Sequence, residues 1–263
     1  MKFKLQPGIN HVMVPVTVNG EGPYDFVIDT GATATSINRQ LAEHLRFDPV
    51  PDSDGRWSVV SLEYKLAGLK SMDIGGERFV DQEVLVIDFA DKLCVYDSQF
   101  GGVIGHNTLK DFVMSIDYPQ GTLQLERTPN GVEKWLDFKY IDGTHLVGVP
   151  VHIDEEGPYD FVLDTGAGGT VMSAEFAEQL QLTSQSVPVV CRGMGGDVPG
   201  RLAHLERVSI GHVSYDGASV LVLDLKGVSP RGGAIKTGII GYPFLRDYRL
   251  VIDYPGKRFA LEN

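Results

Sequence analysis

The stretch Gly22-Pro23-Tyr24-Asp25-Phe26-Val27-Ile28-Asp29-Thr30-Gly31-Ala32 returns almost letter for letter as Gly157-Pro158-Tyr159-Asp160-Phe161-Val162-Leu163-Asp164-Thr165-Gly166-Ala167. In both copies an aspartate follows a continuous apolar run and precedes Thr-Gly, the pattern of a buried strand ending in a turn that glycine fits most easily. A single Asp-Thr-Gly after an apolar strand is ordinarily only a turn, because turn chemistry itself favours Asp and Gly. Two such turns facing one another would bring Asp29 and Asp164 together as a carboxylate pair.

The likeness extends outward from that stretch. Val14-Pro15-Val16 matches Val149-Pro150-Val151 at the same spacing of 135 residues. Lys65-Leu66-Ala67-Gly68-Leu69 through Ile74-Gly75 matches Arg201-Leu202-Ala203-His204-Leu205 through Ile210-Gly211 at a spacing of 136, so the second copy gains one residue, expected in the loop around Ser184 to Val190. Gly102-Val103-Ile104-Gly105, Leu109-Lys110-Asp111-Phe112 and Ile116-Asp117-Tyr118-Pro119 pair in order with Gly238-Ile239-Ile240-Gly241, Leu245-Arg246-Asp247-Tyr248 and Ile252-Asp253-Tyr254-Pro255. A period this long implies two whole lobes rather than a solenoid. The expected division is a lobe at 1–127, a linker at 128–136 with the turn-forming Thr128-Pro129-Asn130-Gly131, and a lobe at 137–263.

Composition narrows the function classes. The chain has 263 residues, 43% hydrophobic, with 31 Gly and 14 Pro between short Val/Ile/Leu/Tyr runs, which favours a mostly β protein with a substantial core. A net charge of -12 and no basic block argue against nucleic-acid and anionic-membrane partners. Cys94 and Cys191 lie in opposite halves, giving neither a disulfide framework nor a zinc spacing. No signal-peptide core or 18-residue apolar run appears, so a cytoplasmic chain is expected, secretion of a trimmed chain staying open.

In each lobe the pattern predicts an early hairpin (Val12 to Val18 and Tyr24 to Ile28 in the first) and a short helix at Asn38 to Leu45 or Ser173 to Leu180, Ser173 acting as N-cap. Later strands are predicted at Val84 to Ile87, Met114 to Asp117 and Thr122 to Leu125, with counterparts at Val220 to Leu223, Leu250 to Asp253 and Arg258 to Leu261. Second short helices follow at Asn107 to Phe112 and Phe244 to Tyr248.

Two carboxylates within hydrogen-bond distance cannot both ionise readily and therefore share a proton. The ionised member can take a proton from water while the protonated member donates to a carbonyl oxygen, so peptide hydrolysis needs neither a covalent intermediate nor a metal. Thr30 and Thr165 are expected to bond into the opposite loop, and Gly31 and Gly166 to permit the tight turn. Seven histidines show no metal-ligand spacing, so surface or capping roles are expected for them. No complete phosphate loop or serine elbow is present. Asp154-Glu155-Glu156 is expected at a solvated hairpin.

With Asp29-Thr30-Gly31-Ala32, Asp164-Thr165-Gly166-Ala167, Val103-Ile104-Gly105-His106-Asn107 and Ile239-Ile240-Gly241-Tyr242-Pro243, nearly the whole chain resembles the aspartic proteases of retroviral and pepsin type. The resemblance implies a two-lobed acid-protease fold of duplicated, closed β lobes, fused as in pepsin but with lobes as short as a retroviral subunit. It implies an endopeptidase with Asp29 and Asp164 catalytic, supported by Thr30, Gly31, Ala32, Thr165, Gly166 and Ala167. It also implies a β-hairpin flap in each lobe. Cys191-Arg192-Gly193-Met194-Gly195-Gly196 fits a glycine-rich tip, whereas Gly55-Arg56-Trp57-Ser58-Val59-Val60 has lost the glycines. Substrate contacts are expected at Thr33, Gly168, Trp57, Ser58, Met194 and Gly195; Thr33 and Gly168 stand where retroviral members carry aspartate. Trp57 or Tyr64 would either reach over the substrate or pack in the core. Ala32 and Ala167 replace the hydroxyl of pepsin-like members, which should raise the pair's pKa values and put the optimum between mildly acidic and neutral pH.

The expected partner is a peptide or protein in extended conformation, with no cofactor, no metal, no nucleic acid and no membrane, the chain working as a monomer that is itself a pseudo-dimer. The alternatives are a catalytically inactive peptide-binding module of the same fold and, less favoured, a subunit active only as an oligomer.

Overall fold

The computed structural model describes residues 1–47, 64–89, 96, 99–141, 143–182, 187–193, 196–226 and 235–263. The N-terminal half runs β1 (Lys4–Leu5), β2 (Val12–Val18), β3 (Glu21–Ile28), β4 (Ser36–Asn38), α1 (Arg39–His44), β5 (Tyr64–Ile74), β6 (Glu77–Ile87), β7 (Phe100–Ile104), α2 (His106–Leu109), β8 (Val113–Asp117) and β9 (Thr122–Glu126). The C-terminal half runs β10 (Leu136–Asp137), β11 (Lys139–Tyr140), β12 (Val147–Ile153), β13 (Glu156–Leu163), β14 (Val171–Ser173), α3 (Ala174–Gln179), β15 (Val187–Gly193), β16 (Gly196–Ile210), β17 (Val213–Leu223), β18 (Gly238–Ile240), α4 (Tyr242–Leu245), β19 (Arg249–Asp253) and β20 (Arg258–Glu262).

Each half closes a sheet on itself. In the first, β2-β3-β7-β4-β6-β5 returns to β2 through a β2–β5 pairing; in the second, β12-β13-β18-β14-β17-β16 returns to β12 through β12–β16. Closure pairs the strands that would otherwise be left as open edges of each six-stranded sheet. The sequence supplies the inward face: Val12, Val14, Val16 and Val18 of β2, and Val147, Val149, Val151 and Ile153 of β12, are all buried. This is the mostly β, two-lobed acid-protease fold with short helices.

A third sheet, β10-β20-β19-β8-β9, draws strands from both repeats. Its central seam pairs β8 antiparallel to β19 with Ser115 opposite Val251. Those two residues are repeat equivalents, so the local twofold axis of the duplication passes between them. Met114, Ile116, Leu250 and Ile252 from this seam lie in one hydrophobic cluster with the barrel interiors of both lobes.

The tight hairpins fall where expected. Asn19 and Gly20 turn at φ of 51° and 85°, and Asp154 and Glu155 make the same turn at 47° and 74°. The helices differ in extent. The two predicted from Asn107 and Phe244 instead begin at His106 and Tyr242, directly after Gly105 and Gly241, and end at Leu109 and Leu245. Ser173 is the N-cap of α3, its Oγ accepting the Phe176 N–H at 3.1 Å, while Asn38 ahead of α1 makes no such bond. Strands β5 and β6 form an 11-residue hairpin, of which the sequence pattern marked only the last four residues of β6.

Candidate functional site

Strands β3 and β13 deliver the two aspartates. Each pairs in parallel with the apolar strand of its own Gly-block, Phe26-Val27-Ile28 against Gly102-Val103-Ile104 and Phe161-Val162-Leu163 against Gly238-Ile239-Ile240. The pairing continues one step beyond the strands, Asp29 N–H reaching the Ile104 carbonyl at 3.1 Å and Asp164 N–H the Ile240 carbonyl at 3.0 Å. Past each glycine the helix amide ties back to the turn: His106 N–H to Ala32 at 2.8 Å and Tyr242 N–H to Ala167 at 2.9 Å. Each Gly-block therefore threads beside its own Asp-Thr-Gly turn.

The turns meet across the lobes. Thr30 and Thr165 are buried, and each hydroxyl crosses over: Thr30 Oγ1 donates to the Leu163 carbonyl at 2.7 Å and Thr165 Oγ1 to the Ile28 carbonyl at 2.8 Å. Each hydroxyl also accepts the other threonine's N–H, at 3.1 and 3.2 Å. This closed set of four bonds puts the Asp29 and Asp164 side chains in hydrogen-bond contact. The glycines have no space to spare. A Cβ on Gly31 would lie 2.7 Å from Asp164 Oδ2, and one on Gly166 2.4 Å from Asp29 Cγ.

The two carboxyls are not equivalent. Asp29 Oδ1 accepts the Gly31 and Ala32 N–H groups at 2.8 and 2.9 Å, whereas Asp164 Oδ1 accepts Gly166 N–H at 2.8 Å. Burial, then the neighbouring Asp164 charge and the hydrogen bond to it, hold Asp29 protonated well above the ordinary carboxylate range. Burial also raises Asp164, but the Gly166 N–H, the bond from Asp29 and the Gly31 N–H oppose it. Both carboxyls are thus raised, and the pair as a whole retains one proton.

Three of the histidines assigned surface or capping roles instead surround the turns. His145 contacts the Gly31 carbonyl and Thr33, the His11 ring bonds the Gly166 backbone, and His106 packs 5.4 Å from His145 between ring centroids. Burial lowers all three, His11 and His106 to about 4, with His145 and Lys110 adding to the effect at His106. Tyr118 and Tyr254, repeat equivalents, lie against Tyr242 and His106 at 5.9 and 5.5 Å, and burial drives both phenols far above their ordinary pKa. Tyr96 stacks on Phe100 at 3.9 Å, and burial, followed by its nearness to the Asp29 carboxyl, raises its phenol. The repeat alignment hid His11 and His145 because they are one register apart: His145 aligns with Asn10.

Thr33 turns its hydroxyl to His145, while Gly168 lies beneath the Ile9 carbonyl, 2.5 Å from where its Cβ would be. Tyr64 packs against the cluster of Leu66, Leu85 and Phe89. In the second lobe β15 and β16 form a hairpin paired down to Gly193 opposite Gly196, with β15 bonded to no other strand among the described residues and Val190 73% exposed. Its tip residues Met194 and Gly195, and Trp57 and Ser58 of the first lobe, lie outside the described residues. No group of three or more His, Cys, Asp or Glu is arranged to hold a metal among the described residues. No helix among them is long and apolar enough to cross a membrane.

The family model described as aspartyl protease matches residues 14–108 and again 149–244. The chain belongs to the aspartyl protease family. The two matches cover most of its length and each contains one Asp-Thr-Gly turn with its Gly-block, so this aspartyl protease family member carries the family's unit twice in one polypeptide. No curated protein gives a significant match.

Proposed function

We propose that the chain is an aspartic endopeptidase that hydrolyses peptide bonds with a water activated between Asp29 and Asp164. The observation that carries this reading is the contact of the two carboxyls across the lobes, held by the crossed Thr30 and Thr165 bonds. In this reading Asp164 acts as base and takes a proton from water as the oxygen attacks the peptide carbonyl carbon. Asp29 donates its proton to the carbonyl oxygen, giving a neutral tetrahedral diol. Collapse returns that proton to Asp29 and passes the one on Asp164 to the leaving nitrogen.

An extended peptide lies between the lobes and pairs its backbone with the β15–β16 hairpin by strand addition. Thr33 and Gly168, two residues beyond the glycines, and Trp57, Ser58, Met194 and Gly195 of the flaps are its contacts in this reading. Both half-sites lie in one chain, so the working unit is a monomer, its two lobes divided at residues 128–136.

Turnover of a diverse peptide mixture across pH tests the reading, with Asp29→Asn and Asp164→Asn beside wild type. Cleavage by wild type alone is expected. Equal behaviour of all three proteins rejects it, and peptide binding without cleavage in all three would mark the chain as a binding module.

A further inference from the structure

Two histidines that the carboxyl chemistry does not use reach the site from opposite lobes. His145, in the turn ahead of β12, sets Nε2 3.0 Å from the Gly31 carbonyl oxygen and Nδ1 3.2 Å from Thr33 Oγ1. A carbonyl only accepts, so Nε2 carries the ring proton, and in the neutral ring the Thr33 hydroxyl donates to Nδ1. The Gly31 carbonyl belongs to the same peptide unit as the Ala32 N–H, which donates to Asp29 Oδ1 at 2.9 Å. Imidazole, peptide and carboxyl therefore stand in series, an arrangement in which each bond polarises the next.

His11 makes the corresponding approach from the first lobe. Its bond to the Gly166 backbone favours the imidazolium and is thus a donation to the carbonyl, while Nδ1 lies 2.6 Å from the Tyr96 hydroxyl. The series stops short on this side. The Ala32 and Ala167 N–H groups each approach the main-chain oxygen of their own aspartate, at 3.3 and 3.2 Å, but Ala32 N–H also donates to the carboxyl whereas Asp164 Oδ1 accepts the Gly166 N–H of its turn without that of Ala167.

We propose that His145 is a positioning residue for the carboxyl pair, holding and polarising the Gly31–Ala32 peptide so that its N–H directs Asp29 Oδ1, with Thr33 fixing the ring in the donor tautomer. This gives Thr33 a purpose that Gly168, its repeat equivalent, does not share. The proposal depends on the peptidase reading for its consequence in turnover but not for its effect on where the proton lies. The titratable groups facing His145 and the pair are His106, with Lys110 and Asp111 beside it, His11, and the phenols of Tyr96, Tyr118, Tyr140 and Tyr254. The phenols titrate far above the carboxyl range, so a movement of the carboxyls is separable from theirs.

Carbon-13 NMR of the aspartate carboxyls across pH, on the full chain, tests this directly. His145→Leu, which removes the donor, should move the Asp29 titration upward by about half a unit or more. His145→Gln keeps an N–H at similar reach and should stay close to wild type. A merely structural tie between the lobes would change the unfolding midpoint without this pattern. The proposal is overturned if Leu leaves Asp29 where it was, or if Gln shifts it as far as Leu does. Nitrogen-15 NMR of the wild-type rings supplies a test independent of any variant's folding: a proton on Nδ1 of His145 would refute the series, and a proton on Nε2 supports it. Peptide turnover measured alongside separates the two readings. A wild type that fails to cleave peptides while Leu still shifts Asp29 sinks the peptidase, whereas cleavage with an unmoved Asp29 sinks the role of His145.

Discussion

Thr30 and Thr165 each donate a hydroxyl to the strand ahead of the other's aspartate and accept the other's N–H, at 2.7 to 3.2 Å, so neither turn can move without breaking bonds in both lobes. Thr30→Val would keep the shape but leave the Leu163 carbonyl and Thr165 N–H unpaired in the interior. We expect a loss of about 2–4 kcal/mol in urea unfolding. Thr30→Ser should stay within about 1 kcal/mol of wild type, since the hydroxyl survives. A Thr30→Val and Thr165→Val cycle should be non-additive, because each change removes two of the four bonds of one closed set and frees the turns that the other two hold together.

Gly31 and Gly166 face the opposite carboxyl at distances that exclude a methyl group. Gly31→Ala should force the turns apart, cost about 1–3 kcal/mol, and reduce peptide turnover by weakening the contact that shares the proton. Unfolding and turnover measured on one preparation check both effects; an alanine variant with wild-type values would show that the turns have slack.

Asp29 binds its proton more tightly in the folded chain than in the unfolded one. Folding stability must then fall as pH rises above the ordinary carboxylate pKa of about 4, because the unfolded chain releases the proton first. Asp29→Asn removes that penalty. The variant should be more stable than wild type at pH 7, the difference shrinking below about pH 4, while turnover drops by about 10²–10⁴-fold. Thermal unfolding as a function of pH reads the first effect and peptide cleavage the second.

Glu155 occupies the left-handed region at φ 74°, where its repeat equivalent is Gly20 at φ 85°. Glu155→Gly should relieve part of that strain and stabilise the chain by about 0.5–1 kcal/mol with no change in turnover, the turn being far along the hairpin from the aspartates. Equal unfolding midpoints for variant and wild type would contradict this.

Much of the site was legible because the duplicated turn is a local pattern. Apolar strand, Asp, Thr and Gly occupy consecutive positions, so the meeting of the two turns could be expected before any contact was known. The helix starts at His106 and Tyr242 were less legible, since they are set by Gly105 and Gly241 packing beside the Asp-Thr-Gly turns, a long-range demand on a short segment. The inward histidines were illegible for a related reason. Nothing beside His145 in the chain distinguishes it from an exposed loop histidine, and its partners Gly31 and Thr33 lie more than 110 residues away.

By itself the sequence determined that one unit occurs twice, because repetition of strand, turn and Gly-block is written in residue order and needs no coordinates. Only the tertiary structure decided how unequal the halves had become. Asp29 Oδ1 accepts two N–H groups of its turn and Asp164 Oδ1 one, and His145 and Thr33 meet from different lobes. Those contacts arise when two barrels close and dock about the Ser115–Val251 seam, so no local stretch of chain encodes them.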